Sequence, residues 1–347
     1  MQIEYQPFMV HKRFPLTISR GTTTHNTNLW LKIRADNVEG WGEATPFSIS
    51  KQGGLTTPKL IQELEAIVPL LEPFHPLQRA AIYQILQQHS VSSALRAAID
   101  TALQDWLGKQ AGLPLWQLWG LDRSAIVKTS VTIGISTPEA AIARVRQWQD
   151  FMGATVFKLK LGSPSGLDAD RAMFEAVQAV APDAEFTVDA NGGWTLAEAI
   201  AMADWLAERG VRHLEQPLPV AAEADYPTLY AQSPLPLFAD ESCFSSADVV
   251  RVAPWVHGVN IKLMKAGGLM EAQRMIHTAQ ALGLQIMYGC YSDSALANTA
   301  LSQLAPYADY LDLDSHLNLV DDPFVGAQLN QGCLWPNDGP GLGVSLA

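Results

Sequence analysis

From Val131 onward, eight short runs rich in Val, Ile, Leu, Phe and Thr alternate with longer stretches of helical composition: Val131–Ile135, Val156–Leu161, Phe186–Ala190, Val211–Glu215, Leu235–Ala239, Val259–Leu263, Leu284–Met287 and Tyr310–Leu313. Their starts fall about 25 residues apart, the length of one strand, one helix and two loops. Eight such units predict an α/β chain in which parallel strands close into a β/α barrel inside a ring of helices. The intervening amphipathic stretches Pro138–Phe151, Asp168–Val180, Leu196–Arg209, Ser245–Val252 and Met270–Leu282 predict that ring. Gly153, Gly210 and Gly283 each stand just past one of them, where a helix ends in a left-handed residue. An open, doubly wound sheet is the competing layout, but no glycine-rich phosphate turn follows Ile135.

The segment before the barrel reads differently. Strand-like Gln2–Val10 and Asn28–Ile33, a turn near Asp36–Gly40 and helical Lys59–Leu71 and Ser92–Lys109 predict a separate α+β unit over residues 1–120. The barrel takes 121–320, and a Gly-, Pro- and Asn-rich segment, 321–347, is expected to cross back to the first unit. The Gly339-Pro340-Gly341-Leu342-Gly343 stretch lacks a following helix and is a poor dinucleotide fingerprint.

Charge narrows the partners. With 23 Lys plus Arg against 35 Asp plus Glu, the net charge of −12 argues against nucleic acid. Met1–Pro15 is interrupted by Glu4, His11, Lys12 and Arg13 and lacks the apolar core of a signal peptide. No apolar run has the length of a membrane span. The expectation is a cytoplasmic protein, with Cys243, Cys290 and Cys333 as free thiols, since their spacing suits neither zinc nor a disulfide framework.

In a β/α barrel the reactive groups come from the C-terminal strand ends and the loops that follow. The third run ends in Asp189, the fourth in Glu215 and the fifth in Ala239-Asp240, so three successive strands deliver a carboxylate at corresponding positions. One such acid reads as a helix cap; three in register call for a cation, and an all-oxygen set suits Mg²⁺. Lys158 and Lys160 on the second run point to one side by the period of two, and Lys262 ends the sixth. Those strands lie four apart, so the amines flank whatever the metal holds. Two-base chemistry needs lysines of low pKa, which neighbouring positive charge favours for Lys160. Lys265 is expected in the loop beyond as a structural residue. Asp312 and Asp314 share a face of the eighth run, across from the metal; they read either as a site for a substrate ammonium or as loop caps.

The Lys158-x-Lys160 pair, Asp189 in Val-Asp-Ala-Asn, Glu215 in Glu-Gln-Pro, Asp240 in Ala-Asp-Glu-Ser and Lys262 in Asn-Ile-Lys-Leu-Met-Lys-Ala-Gly-Gly resemble the muconate-lactonizing subgroup of the enolase superfamily. The resemblance spans nearly the whole chain. It implies a modified (β/α)₇β barrel with an α+β capping domain formed by the N-terminal segment and the C-terminal tail. It also implies Mg²⁺ on Asp189, Glu215 and Asp240, Lys160 and Lys262 as the two bases, and Lys158 stabilising an enediolate. Asp312-x-Asp314 resembles the pair that holds the substrate α-ammonium in dipeptide epimerases, which implies a small dipeptide substrate. Arg20 falls in the capping-domain loop and resembles an arginine that contacts an acidic side chain in Ala-Glu epimerases. Asp293, where relatives often carry glutamate, and Ser315-His316-Leu317-Asn318 depart from the pattern and leave Ala-Glu as one candidate among several. His316 and His25 read as pocket, loop or packing residues. Other subgroup reactions (o-succinylbenzoate synthase, cycloisomerase, N-acylamino acid racemase) and a catalytically silent binding protein are the alternatives, and a homo-oligomer is compatible with all of them.

Overall fold

The computed structural model describes residues 1–48 and 54–347. Its N-terminal unit is a meander of three antiparallel strands, β1 (Gln2–Ile18), β2 (Gly21–Ala35) and β3 (Val38–Ala44), against helices α1 (Thr57–Leu71), α2 (Arg79–Gln88) and α3 (Ser93–Ala111). Asp36 and Asn37, at φ 51° and 61°, form the two-residue turn joining β2 to β3. Helix α3 is lined by small residues (Ala94, Ala97, Ala98, Ala102) and lies directly on β3, where a Cβ on Gly42 would run into the Ala98 carbonyl. The sequence pattern missed β3 and α2, and β1 continues beyond Val10 although Pro15 interrupts its ladder.

The barrel strands are β4 (Val131–Ile133), β5 (Val156–Lys160), β6 (Glu185–Asp189), β7 (Leu214–Glu215), β8 (Leu237–Ala239), β9 (Gly258–Lys262), β10 (Gln285–Gly289) and β11 (Tyr310–Asp312), paired parallel in chain order. Closure between β11 and β4 comes from the residues just before β4: Ser130 N donates to Leu311 O (2.7 Å) and Thr129 bridges Leu311. Strand β7 is shorter than the run from Val211 because the Val211 amide still bonds the end of the preceding helix at Leu206 O (3.2 Å). Strand β8 starts after Pro236, which has no amide to give to a ladder. The helix ring follows the predicted stretches closely. Thr137 caps Pro138–Met152, which ends at Gly153 (φ 66°), and Thr195 with Glu198 makes a capping box for Leu196–Ala207.

The tail packs on the N-terminal unit. Phe324 meets Phe8 and Trp41 edge to face (5.7 and 5.8 Å), and the Leu342 amide donates to Asp105 (2.8 Å). Barrel and cap are further joined by Glu43 of β3. It accepts hydrogen bonds from Asn28 (2.6 Å), the amides of Ser294 (3.0 Å) and Ala297 (3.2 Å), and the Ser294 hydroxyl. Burial and neighbouring Asp293 push its carboxyl up to about 8. A folded value above the unfolded one stabilises the fold below the ordinary carboxylate range and is lost as pH rises toward 8, by on the order of 4 kcal/mol. Relative to wild type, Glu43→Gln should therefore gain unfolding free energy in urea between pH 5 and pH 8. A difference that does not change with pH would show that Glu43 ionises freely in place.

Candidate active site

Three carboxylates crown adjacent strands, with Asp189 ending β6, Glu215 ending β7 and Asp240 just past β8. All are buried, and each turns an oxygen to a common point, the three lying within 4.8 Å of one another. Register places them there, since Asp189 pairs with Glu215 across the parallel ladder. Asn191, at φ 46°, supports Asp189 with its amide (2.7 Å) and side chain (3.1 Å). Gln216, at φ 37°, accepts from the amides of Asp240 (2.9 Å) and Ser242 (3.2 Å). Asn260 donates to Glu215 (2.7 Å). Asn260 could have been found from sequence, because it stands two residues before Lys262 on the same face; Gln216 stands in the Glu-Gln-Pro motif, but nothing local shows that it would hold the Asp240 turn.

The lysines divide this cluster between them. Lys158, fully buried, lies 2.6 Å from Glu215 Oε2, in ion-pair contact but off the hydrogen-bond axis, and 3.3 Å from Asp189. Lys160 reaches Asp189 at 2.5 Å, and Lys262 reaches Asp240 at 2.8 Å. Lys160 and Lys262 therefore stand at opposite ends of the carboxylate row. Lys265 is not in a loop. It lies on a one-turn helix, Leu263–Ala266, with its buried ammonium on Asp240 Oδ1 (2.5 Å) and three backbone carbonyls, fixing Asp240 from behind.

Electrostatics ties two of the lysines to the carboxylates. Burial opposes the charge on Lys262, yet Asp240 outweighs it and holds the ammonium well above its ordinary value. Lys158 behaves alike: burial is outweighed by Asp312, Glu215 and Asp189. The lysines lie against the carboxylates of the trio, so their charge is tied to them. Glu215 carries the cost: burial and Asp189 push it up to about 8. A buried, all-oxygen trio in which one member resists ionisation fits a hard divalent cation, which relieves that repulsion.

Asp312 and Asp314 lie at the end of β11, facing the same interior. Asp312 already has a cation of the chain's own, Lys158 at 2.8 Å, and accepts from Ser130 (2.9 Å), so it does not depend on a substrate amine for charge balance. Asp314 accepts from the Thr132 amide (2.7 Å), and burial and Asp312 push it up to about 6.

Arg20 sits at the tip of the β1–β2 hairpin, over the barrel mouth. Its acidic contact is the chain's own Glu241 (3.0 Å), and it also donates to Asn191 O (3.0 Å). Asp293 is buried and accepts from the Tyr291 amide (3.1 Å), and His316 bonds Asn298 (2.9 Å). Between hairpin and mouth opens a cleft of about 740 Å³ reaching both Lys160 and Lys262, with His25 on its wall. Tyr291 stacks on Phe47 (4.5 Å) and lies 4.7 Å from the Lys262 ammonium.

Gly289, at the end of β10, makes room for Lys262, since a Cβ there would stand 2.7 Å from the Asn260 side chain and 3.0 Å from Lys262 Cε. Gly289→Ala should cost about 1–3 kcal/mol of stability and about a hundredfold in turnover by displacing that ammonium. Turnover unchanged in a folded variant would mean that Lys262 tolerates displacement.

Residues 3–120 match the family described as mandelate racemase / muconate lactonizing enzyme, N-terminal domain, and 140–347 match enolase C-terminal domain-like. The chain is 41% identical over 349 residues to a hydrophobic dipeptide epimerase of Roseobacter litoralis, covering 100% of this chain and 99% of that protein. It is 35% identical over 347 residues to an L-Ala-D/L-Glu epimerase of Bacteroides thetaiotaomicron, covering 99% and 88%. Among solved structures, the substrate-liganded L-Ala-D/L-Glu epimerase of Bacillus subtilis superposes with a TM-score of 0.93 at 26% identity, covering 99% of this chain and 98% of that one. The Enterococcus faecalis dipeptide epimerase complexed with Mg and L-Leu-L-Tyr gives 0.92 at 27%, covering 99% of each. Matched at both its N-terminal unit and its barrel, and aligned with these relatives over essentially its whole length, this chain belongs to the mandelate racemase / muconate lactonizing enzyme family of the enolase superfamily.

Proposed function

We propose that the protein is a Mg²⁺-dependent dipeptide epimerase that inverts the α-carbon of the C-terminal residue by proton transfer between two lysines. The observation that carries this reading is the placement of Lys160 at Asp189 and Lys262 at Asp240, one amine at either end of a buried row of three carboxylates. Mg²⁺ on Asp189, Glu215 and Asp240 would supply the charge that grips the substrate carboxylate and makes its α-proton removable. A cation on Asp189 and Asp240 would offset the negative charge that holds these amines protonated; Lys160 and Lys262 would then work from opposite faces of the α-carbon, the neutral one taking the proton and the other, as ammonium, returning one. Lys158 adds fixed positive charge beside the developing enediolate. Asp314, with Asp312, receives the α-ammonium of the N-terminal residue. Relatives named dipeptide epimerases support this assignment.

For the epimerised side chain we favour an apolar group. Leu16, Ile18, Phe47, Leu55 and Tyr291 line the cleft, while Glu241 offsets the charge of Arg20. The accompanying division of the chain is a capping unit over 1–120, a barrel over 121–320 and a return segment over 321–347. Among the described residues no helix is long and apolar enough to cross a membrane, and all three cysteines are free, which supports a cytoplasmic enzyme.

The test is incubation of L,L-dipeptide mixtures with enzyme and Mg²⁺ in D₂O, with mass spectrometry of the C-terminal residue. Uptake of one deuteron that disappears when the N-terminal amine is acetylated supports the reading. Exchange in N-acylamino acids but not in free dipeptides overturns it.

A further inference from the structure

The β1–β2 hairpin breaks register between His11 and Leu16, whose partners are His25 and Thr23, so β1 carries extra residues there. The bulged segment is bound elsewhere. Lys12 bridges Leu319, the Val320 amide donates to His11 O (3.0 Å), and Asn318 exchanges hydrogen bonds with the backbone of Phe14 (2.8 and 2.9 Å). The docking partner is the segment that follows Asp314. A strand of the capping unit is thereby locked beside the barrel's acid pair, and Lys12 is the residue it delivers.

Lys12 lines both the main cleft, with Lys160 and Lys262, and a small recess behind it with Asp312 and Asp314. Among the described residues its ammonium makes no hydrogen bond and has no carboxylate within 4.0 Å. Asp312 is occupied by Lys158, and Asp314 by the Thr132 amide. Burial lowers the pKa of Lys12 against the pull of Asp314 and Asp293, neither of which comes within 4.0 Å of its ammonium. A half-buried cation facing a substrate cleft favours an anionic group on what binds there.

We propose that Lys12 is a specificity-determining residue that recognises a carboxylate side chain on the N-terminal residue of the dipeptide and disfavours a cationic one. The proposal rests on the epimerase reading: with the α-ammonium at Asp314, the first side chain starts next to Lys12. An Asp or Glu there completes the ion pair that the protein leaves open, whereas Lys or Arg sets like charges together in a partly buried recess.

The experiment compares L-Glu-L-Leu, L-Gln-L-Leu and L-Lys-L-Leu with wild type and Lys12→Met, measuring kcat/KM and, by calorimetric titration of the Mg²⁺-loaded protein, binding. Wild type is expected to prefer Glu over Gln by about tenfold or more and to rank Lys last. In Lys12→Met the Glu-to-Gln ratio should fall to about one. A ratio identical in the two proteins, in turnover or in binding, overturns the assignment of Lys12. Binding that follows the expected ratios without epimerisation by wild type overturns the epimerase reading and leaves the assignment standing. No binding of any of the three overturns both. Because the readout is a ratio within each protein, a variant that is merely less stable does not imitate the effect.

Discussion

Lys160→Ala and Lys262→Ala are each expected to reduce epimerisation by about a thousandfold or more, the scale of a general acid–base group acting directly on the reacting carbon. The two should differ in what survives. Each variant keeps one amine, on one face of the α-carbon, and that amine can still exchange the α-proton pointing at it. In D₂O one variant should wash deuterium into the L,L-dipeptide and the other into its epimer, with interconversion of neither. The geometry behind this is the separation of the two ammonium groups along the carboxylate row, one at Asp189 and one at Asp240. Exchange of the same stereoisomer by both variants, or full turnover by either, would replace the two-base scheme with a single base. Lys265→Ala forms a contrast. Its ammonium is bound to Asp240 and to backbone carbonyls, so its loss should weaken metal affinity and stability together.

Glu215→Gln should abolish turnover through the metal. Groups that only orient a ligand are worth about 10- to 100-fold in metal affinity, and loss of one of three buried carboxylates should exceed that. Mg²⁺ is expected to raise the unfolding temperature of wild type and to leave that of Glu215→Gln unmoved, because a ligand stabilises the fold it binds. The apo variant should be at least as stable as apo wild type, since burial and Asp189 oppose ionisation of Glu215. Chelation of wild type should stop turnover, and Mg²⁺ should restore it. Equal stabilisation of both proteins by Mg²⁺ would remove Glu215 from the ligand set.

The barrel was readable because its signal is local and repeated. Each strand buries both faces and shows as an apolar run, each helix shows one stripe, and glycines such as Gly153 mark the stops. Errors fell where long-range contact decides. Strand β3 carries Gly40 and Gly42, poor strand formers, and exists because α3 presses on it. The short helix α2 has no Ser, Thr, Asp or Asn at its N-cap to mark its start.

The site divides the same way. Asp189, Glu215, Asp240 and the lysines were visible because period-two alternation and the rule that barrel chemistry lies at strand ends both act within one strand. The sequence alone determined which residues are offered at the mouth. The tertiary structure decided how their charges are spent: Lys158 on Asp312 as well as on Glu215, Lys265 on Asp240, Arg20 on Glu241. It also placed Glu43 and Lys12, from strands far away in the chain, against the segments that follow β10 and β11. Pairing between charges depends on distances across the fold, and a bulge of a few residues in β1 sets which side chain faces the cleft. Neither leaves a periodic trace in the chain, because the forces that fix them act between elements rather than along them.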